Sequence, residues 1–91
     1  LSYQVDFNPD ALDDLRRMPA QLRSRAAKLI DALETDPRPS KSKQLRDPLA
    51  HLYRLPLEAW RIIYRIDDAE MEVTIVRIKR KTGPETYTGL E

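Results

Sequence analysis

Hydrophobic positions recur along the chain with two periods. Tyr3, Val5 and Phe7 alternate with Gln4 and Asp6, the period of two that marks a strand with one buried face. Asn8 then supplies an N-cap residue, Pro9 suits a first helical turn, and Asp10 complements the positive end of a helix. Ala11, Leu12, Leu15 and Met18 fall on one helical face. Pro19 breaks that helix and opens a second. There Leu22, Ala26, Leu29, Ile30 and Leu33 repeat at helical spacing while Arg23, Arg25, Lys28 and Asp31 take the other sides. So short a break predicts an antiparallel helical hairpin.

The segment Asp36-Pro37-Arg38-Pro39-Ser40 ends the second helix, because proline disfavours helix at its own position and at the one before it. Residues 41–50 read as a polar, basic connection. Residues 52–57 read as a strand interrupted by Pro56, which belongs at a strand end or edge because it has no N–H to give a ladder. Trp60, Ile62, Tyr64 and Ile66 alternate with Arg61, Ile63, Arg65 and Asp67 in a strong strand; residues 67–70 form a turn, and residues 71–78 the next strand. Thr82-Gly83-Pro84 is a loop and residues 85–91 a short tail. The order β-α-α-β-β-β predicts an α+β fold, with the helical hairpin packed on an antiparallel sheet that the first strand joins. Its other face is expected to be open, with Ile63 between Arg61 and Arg65 as the floor of a half-apolar, basic-walled groove.

Ninety-one residues suffice for one core, so residues 1–91 are read as a single domain. The absence of cysteine excludes disulfides and thiolate metal sites, and one histidine with scattered carboxylates makes no metal motif. No apolar run approaches membrane-spanning length, and the N-terminus has no signal-peptide pattern. A cytoplasmic protein with no cofactor and no membrane partner is expected. Net charge is +1, but residues 38–65 carry seven Lys/Arg against Asp47 and Glu58 alone, and Arg77, Lys79, Arg80 and Lys81 follow within five residues. Any one of these cations also reads as ordinary solvation of an exposed face or strand edge. Gathering Arg54, Arg61 and Arg77 from successive strands with Lys79–Lys81 is costly through like-charge repulsion unless a polyanion relieves it, which points to nucleic acid. Trp60 reads as core in preference to a base-stacking platform.

Several stretches together resemble the RelE/ParE-type toxins of bacterial toxin–antitoxin pairs. They are Tyr3-Gln-Val-Asp-Phe7, Ala11-Leu-Asp-Asp-Leu15, Lys43-Gln-Leu-Arg46, Leu52-Tyr-Arg-Leu55, Trp60-Arg-Ile-Ile-Tyr-Arg-Ile66, Val76-Arg-Ile-Lys-Arg80 and Glu85-Thr-Tyr87. The likeness covers essentially the whole chain and implies the RelE-like fold, two N-terminal helices on a curved antiparallel sheet. RelE-like members cut mRNA in the ribosomal A site, and ParE-like members inhibit DNA gyrase without nuclease chemistry. The first reading implies a metal-independent, ribosome-dependent endoribonuclease toxin. Its partners would be the ribosome, mRNA and a cognate antitoxin that covers the basic groove and nearby helices with an acidic segment. Operator DNA would be reached only through that antitoxin.

RNA cleavage needs a base for the 2′-hydroxyl, stabilisation of the phosphorane and a proton for the 5′-oxygen. The resemblance implies Arg61 as the phosphate-stabilising arginine, Arg54 as a basic residue on the preceding strand, and Tyr87 as the tyrosine that orients or stacks on RNA. It leaves either Arg80 or Lys81 as late acid or phosphate clamp. Lys41, Lys43, Arg46, Arg65, Arg77 and Lys79 are expected RNA contacts. Where the best-known RelE pattern has a lysine as general base, this chain has Pro56. His51, Glu58 and Lys81 are the substitutes to weigh, beside catalysis by positioning alone. His51 reads more often as a structural or incidental loop residue, and Glu58 equally as a turn residue or ion-pair partner.

Overall fold

The computed structural model describes residues 2–90. Strand β1 (Gln4–Phe7) leads into helices α1 (Pro9–Arg17) and α2 (Ala20–Ala32), followed by β2 (Lys43–Gln44), β3 (Tyr53–Leu57), β4 (Trp60–Asp67), β5 (Glu72–Arg80) and a 3-10 turn (Pro84–Tyr87). The sheet order is β1-β5-β4-β3-β2. The expected meander is present: β3, β4 and β5 pair antiparallel, and β1 closes the far side of β5 in parallel, which makes the sheet mixed. Asn8 holds the N-cap position of α1 in an extended conformation without a side-chain cap bond, and Pro19 precedes α2 as the breaker.

The helices bury the faces that their periodicity predicts. Ala11, Met18, Ala26, Ile30 and Leu33 join Leu55, Leu57, Ile62, Tyr64, Val73, Ile75 and Ile78 in the main core, with Tyr3, Val5, Phe7, Tyr53 and Trp60 at its margin. A second, smaller cluster lies on the opposite face of the sheet. Here Leu49, Leu52 and Ile63 are buried beneath Leu45, Val76, Tyr87 and Leu90. The open groove floored by Ile63 is therefore absent. Ile63 is fully buried, because the residue 45–52 loop and the C-terminal tail carry apolar side chains that gain by covering it. The pairing jumps from Ile63↔Arg77 to Tyr64↔Ile75, so Val76 is an extra residue in β5. Such a bulge bends the sheet and increases its twist.

Residues 41–50 contain a strand that their pattern does not show. Lys43 and Gln44 pair with Arg54 and Tyr53, and the Leu45 N–H donates to the Leu52 carbonyl at 2.9 Å. Pro56 explains why β2 is so short. The two-residue turn Glu58-Ala59 makes Leu57 and Trp60 a hydrogen-bonded pair, so at Arg54 and Pro56 the backbone faces away from β4, toward β2. Proline costs β3–β4 nothing at that position. It has no N–H to offer residue 41, so pairing stops at Lys43.

A polar network closes the end of the sheet near residue 68. Arg38 grips both carboxylate oxygens of Asp68 at 3.2 and 2.9 Å, and its Nε donates to the Tyr53 hydroxyl at 3.1 Å. The Tyr3 hydroxyl donates to the same carboxylate at 2.6 Å, and the buried Tyr64 hydroxyl donates to the Pro37 carbonyl at 2.8 Å. The residue 36–39 loop, β1 and the β4–β5 turn are thus tied together.

Candidate nucleic-acid interface

The face of the sheet away from the helices carries a block of cations placed there by register. Lys43 on β2 is opposite Arg54 on β3, Arg54 is opposite Ile63, and Arg61 is opposite Lys79 on β5. Paired residues share a face and alternate residues return to it, so Lys43, Arg54, Arg61 and Lys79 stand on one surface spanning four strands. The Lys81 N–H donates to the Ala59 carbonyl at 2.7 Å, which carries the β4–β5 ladder one step further and puts Lys81 on that surface too. Arg80 is opposite Trp60, which packs toward the main core, so Arg80 belongs to the helix side. The ladder thereby separates the two late candidates and assigns Lys81 to the face of Arg61.

Acidic residues of this face gather at its other end. Asp67 pairs with Glu72, and Asp6 pairs with Thr74 beside exposed Arg65. The surface is divided, basic where β3, β4 and the end of β5 meet and acidic toward β1.

Arg61 is held in place by its own turn. Its Nη1 donates to the Glu58 carbonyl at 2.9 Å and the Trp60 carbonyl at 2.8 Å. Its Nε is buried and has no hydrogen-bond partner among the described residues. A guanidinium fixed in this way is preorganised, with its charge in place and Nη2 left to meet a phosphate. Lys79 is tethered more loosely, with Nζ at 3.5 Å from the Thr88 carbonyl. Tyr87 packs on the Leu49, Leu52 and Ile63 cluster and, with Leu45, Arg46 and Leu49, lines an apolar cavity of about 250 Å³ bordering the basic face.

The remaining candidates differ in setting. Arg77 is opposite Ile63 and so starts from the same face, but its guanidinium forms a two-pronged ion pair with Asp14 of α1 (Nε to Oδ2 2.7 Å, Nη2 to Oδ1 3.1 Å). That carboxylate also accepts the Ile78 N–H at 2.9 Å, capping β5 just beyond the point where β1 stops pairing. Hydrogen bonding to Asp14 raises the Arg77 pKa. Arg77 therefore anchors a helix to the sheet. Glu58 is engaged by the Arg25 guanidinium of α2 and so is drawn toward the helices. His51 is exposed in the turn that precedes β3. Lys41 and Arg46 are exposed in the loops on either side of β2. Among the described residues no three His, Cys, Asp or Glu side chains gather as they would around a metal ion, and no helix is long and apolar enough to cross a membrane.

Local sequence signals missed Asp14 and the Arg38–Asp68–Tyr3 network. Their partners lie 30 to 65 residues apart, and the only cue is that Asp14 interrupts an otherwise apolar helix face.

The architecture and the sequence have known relatives. The profile of the family described as "ParE toxin of type II toxin-antitoxin system, parDE" matches residues 5–82. The mRNA interferase toxin RelE of Escherichia coli K-12 is 25% identical over 89 residues, covering 97% of this chain and 93% of that one. The structure of the Mycobacterium tuberculosis RelBE2 toxin–antitoxin complex contains a chain superposing with a TM-score of 0.79 at 28% identity, over 88% of this chain and 99% of that one. A chain of the archaeal RelE–RelB complex from Pyrococcus horikoshii shares the fold, with a TM-score of 0.78 at 23% identity, over 89% and 97% of the two chains. With two helices on a five-stranded mixed sheet and a profile match over most of its length, the chain belongs to the ParE toxin family of type II toxin–antitoxin systems, within the RelE/ParE superfamily.

Proposed function

We propose that this toxin is a ribosome-dependent mRNA endonuclease, held inactive by a cognate antitoxin. The observation that carries the reading is the shared face of Lys43, Arg54, Arg61, Lys79 and Lys81, with the Arg61 guanidinium already fixed by two backbone carbonyls. A phosphate over Arg61 and Arg54 would meet two permanently charged guanidinium groups, Arg61 through Nη2, and such charge stabilises a phosphorane. Lys81, beyond Arg61 on the same face, would protonate the leaving 5′-oxygen. Tyr87 borders the face and offers a ring to an unstacked base. The similarity to the E. coli mRNA interferase RelE supports the same chemistry.

Primer extension on mRNA programmed into purified ribosomes tests the proposal. The toxin is expected to cut at defined codon positions, and Arg61→Ala to slow single-turnover cutting by roughly 10²–10³-fold, as removal of one preorganised donor does. Growth arrest without any such cuts would overturn it. The second reading is gyrase inhibition, favoured by the ParE profile and by Pro56, which cannot titrate. It expects drug-like gyrase cleavage complexes in vitro and toxicity indifferent to Arg61→Ala.

A further inference from the structure

We infer that Lys43 is the group that accepts the 2′-hydroxyl proton, an inference that rests on the endoribonuclease reading above. Transesterification needs a titratable base on the surface that holds the scissile phosphate. Glu58 is paired with Arg25 of α2, and His51 lies in the turn before β3, outside the paired row of Lys43 and Arg54. The amines of that surface are Lys43, Lys79 and Lys81. Lys79 reaches toward the tail carbonyl of Thr88, and Lys81 lies past Arg61 at the sheet's end, on the leaving-group side.

Lys43 stands at the other end of the row. It is exposed, it is the direct cross-strand partner of Arg54, and it is the last paired residue of β2 because Pro56 cannot continue the ladder. A direct pair has its Cβ atoms roughly 5 Å apart and a diagonal neighbour is roughly 7–8 Å away. Lys43 thus borders Arg54 and lies diagonal to Pro56, whose compact ring leaves room above the strand next to Arg61. A phosphate bridging the two arginines has Lys43 on one side and Lys81 on the other, the arrangement that in-line displacement demands.

The step balances without any further reactant. The neutral amine of Lys43 takes the 2′-hydroxyl proton as O2′ forms its bond to phosphorus. The P–O5′ bond breaks, and the leaving 5′-oxygen takes a proton from the Lys81 ammonium. The products are a 2′,3′-cyclic phosphate and a 5′-hydroxyl, and exchange with water resets both lysines.

Single-turnover cutting on programmed ribosomes tests the assignment, using an ordinary mRNA and one with sulfur in place of the scissile 5′-oxygen, whose thiolate leaves without a proton. Lys43→Arg keeps the cation but removes the base, and it is expected to lose roughly 10²–10⁴-fold in rate on both substrates. Lys43→Arg should also flatten the rise of rate with pH that a general base confers. Lys81→Ala is expected to be slow on the oxygen substrate and to recover on the sulfur one. Lys43→Arg cutting at the wild-type rate, or restoring what Lys43→Ala loses, would overturn the role of Lys43 alone and show that only its charge matters. A wild-type protein that cuts neither substrate would overturn the endoribonuclease reading and the role of Lys43 with it.

Discussion

Asp14 satisfies three donors at once: two from the Arg77 guanidinium and the Ile78 backbone N–H. Its side chain is 10% exposed, so the carboxylate has little water to fall back on, while the Arg77 side chain is 35% exposed. Asp14→Ala strands a charged fork and an edge amide together, and the expected loss is about 2–3 kcal/mol, read from urea denaturation. Arg77→Ala should likewise cost stability more than cutting, because the guanidinium is already engaged by Asp14 of α1. Glu58 presents the opposite case. It sits at φ 53, where a non-glycine residue is strained, and its pair with Arg25 is largely exposed. The two effects offset, so Glu58→Gly is expected to change stability by less than about 1 kcal/mol and to leave mRNA cutting intact. A cutting defect beyond a few-fold in that variant would return Glu58 to the list of bases.

Among the elements, both helices, β1 and the β3–β4–β5 meander were legible because each follows a single period long enough to register. The two-residue β2 was not. Lys43 and Gln44 are both polar and carry no alternation, and they become a strand only because Arg54 and Leu52 present free ladder groups on the side away from β4. The covering of Ile63 was hidden for a related reason. Alternation shows that Ile63 points away from the helices, but which segment returns to cover it depends on the path of residues 45–52 and 83–90. In the site, Arg54 and Arg61 were legible from their strands. The choice between Arg80 and Lys81 required the register, since one residue's difference reverses the face. The role given to Pro56 in ending β2 has a direct test. Pro56→Val restores the missing N–H and is expected to lengthen the pairing toward residue 41, seen as a newly slow-exchanging amide at position 56 in hydrogen-exchange NMR; fast exchange there would show that something other than proline stops the strand.

For the molecule as a whole, the two ends of the sheet are held by different means. The basic end is occupied by groups that find few partners within the chain, as suits a surface meant for a polyanion. The opposite end is tied by the Arg38–Asp68–Tyr3 network, which joins three segments far apart in sequence. Hydrogen bonds from Arg38 and then Tyr3 hold the Asp68 carboxyl at about 2, below its ordinary 3.8. Above about pH 4 the carboxylate is ionised in most of the unfolded chain as well as in the fold, and the network contributes in full. Between about pH 4 and pH 2 the unfolded chain takes up a proton that the folded one refuses, so this contribution drains away as acid is added. Thermal melts across that window should therefore fall more steeply for the wild type than for Asp68→Asn, which has no such proton to bind. Because the network lies at the far end from Arg61 and Lys81, Asp68→Asn should lose stability near neutral pH while its cutting rate at temperatures below its melt stays that of the wild type; a parallel loss of cutting would mean that the latch and the basic face are mechanically coupled through β4.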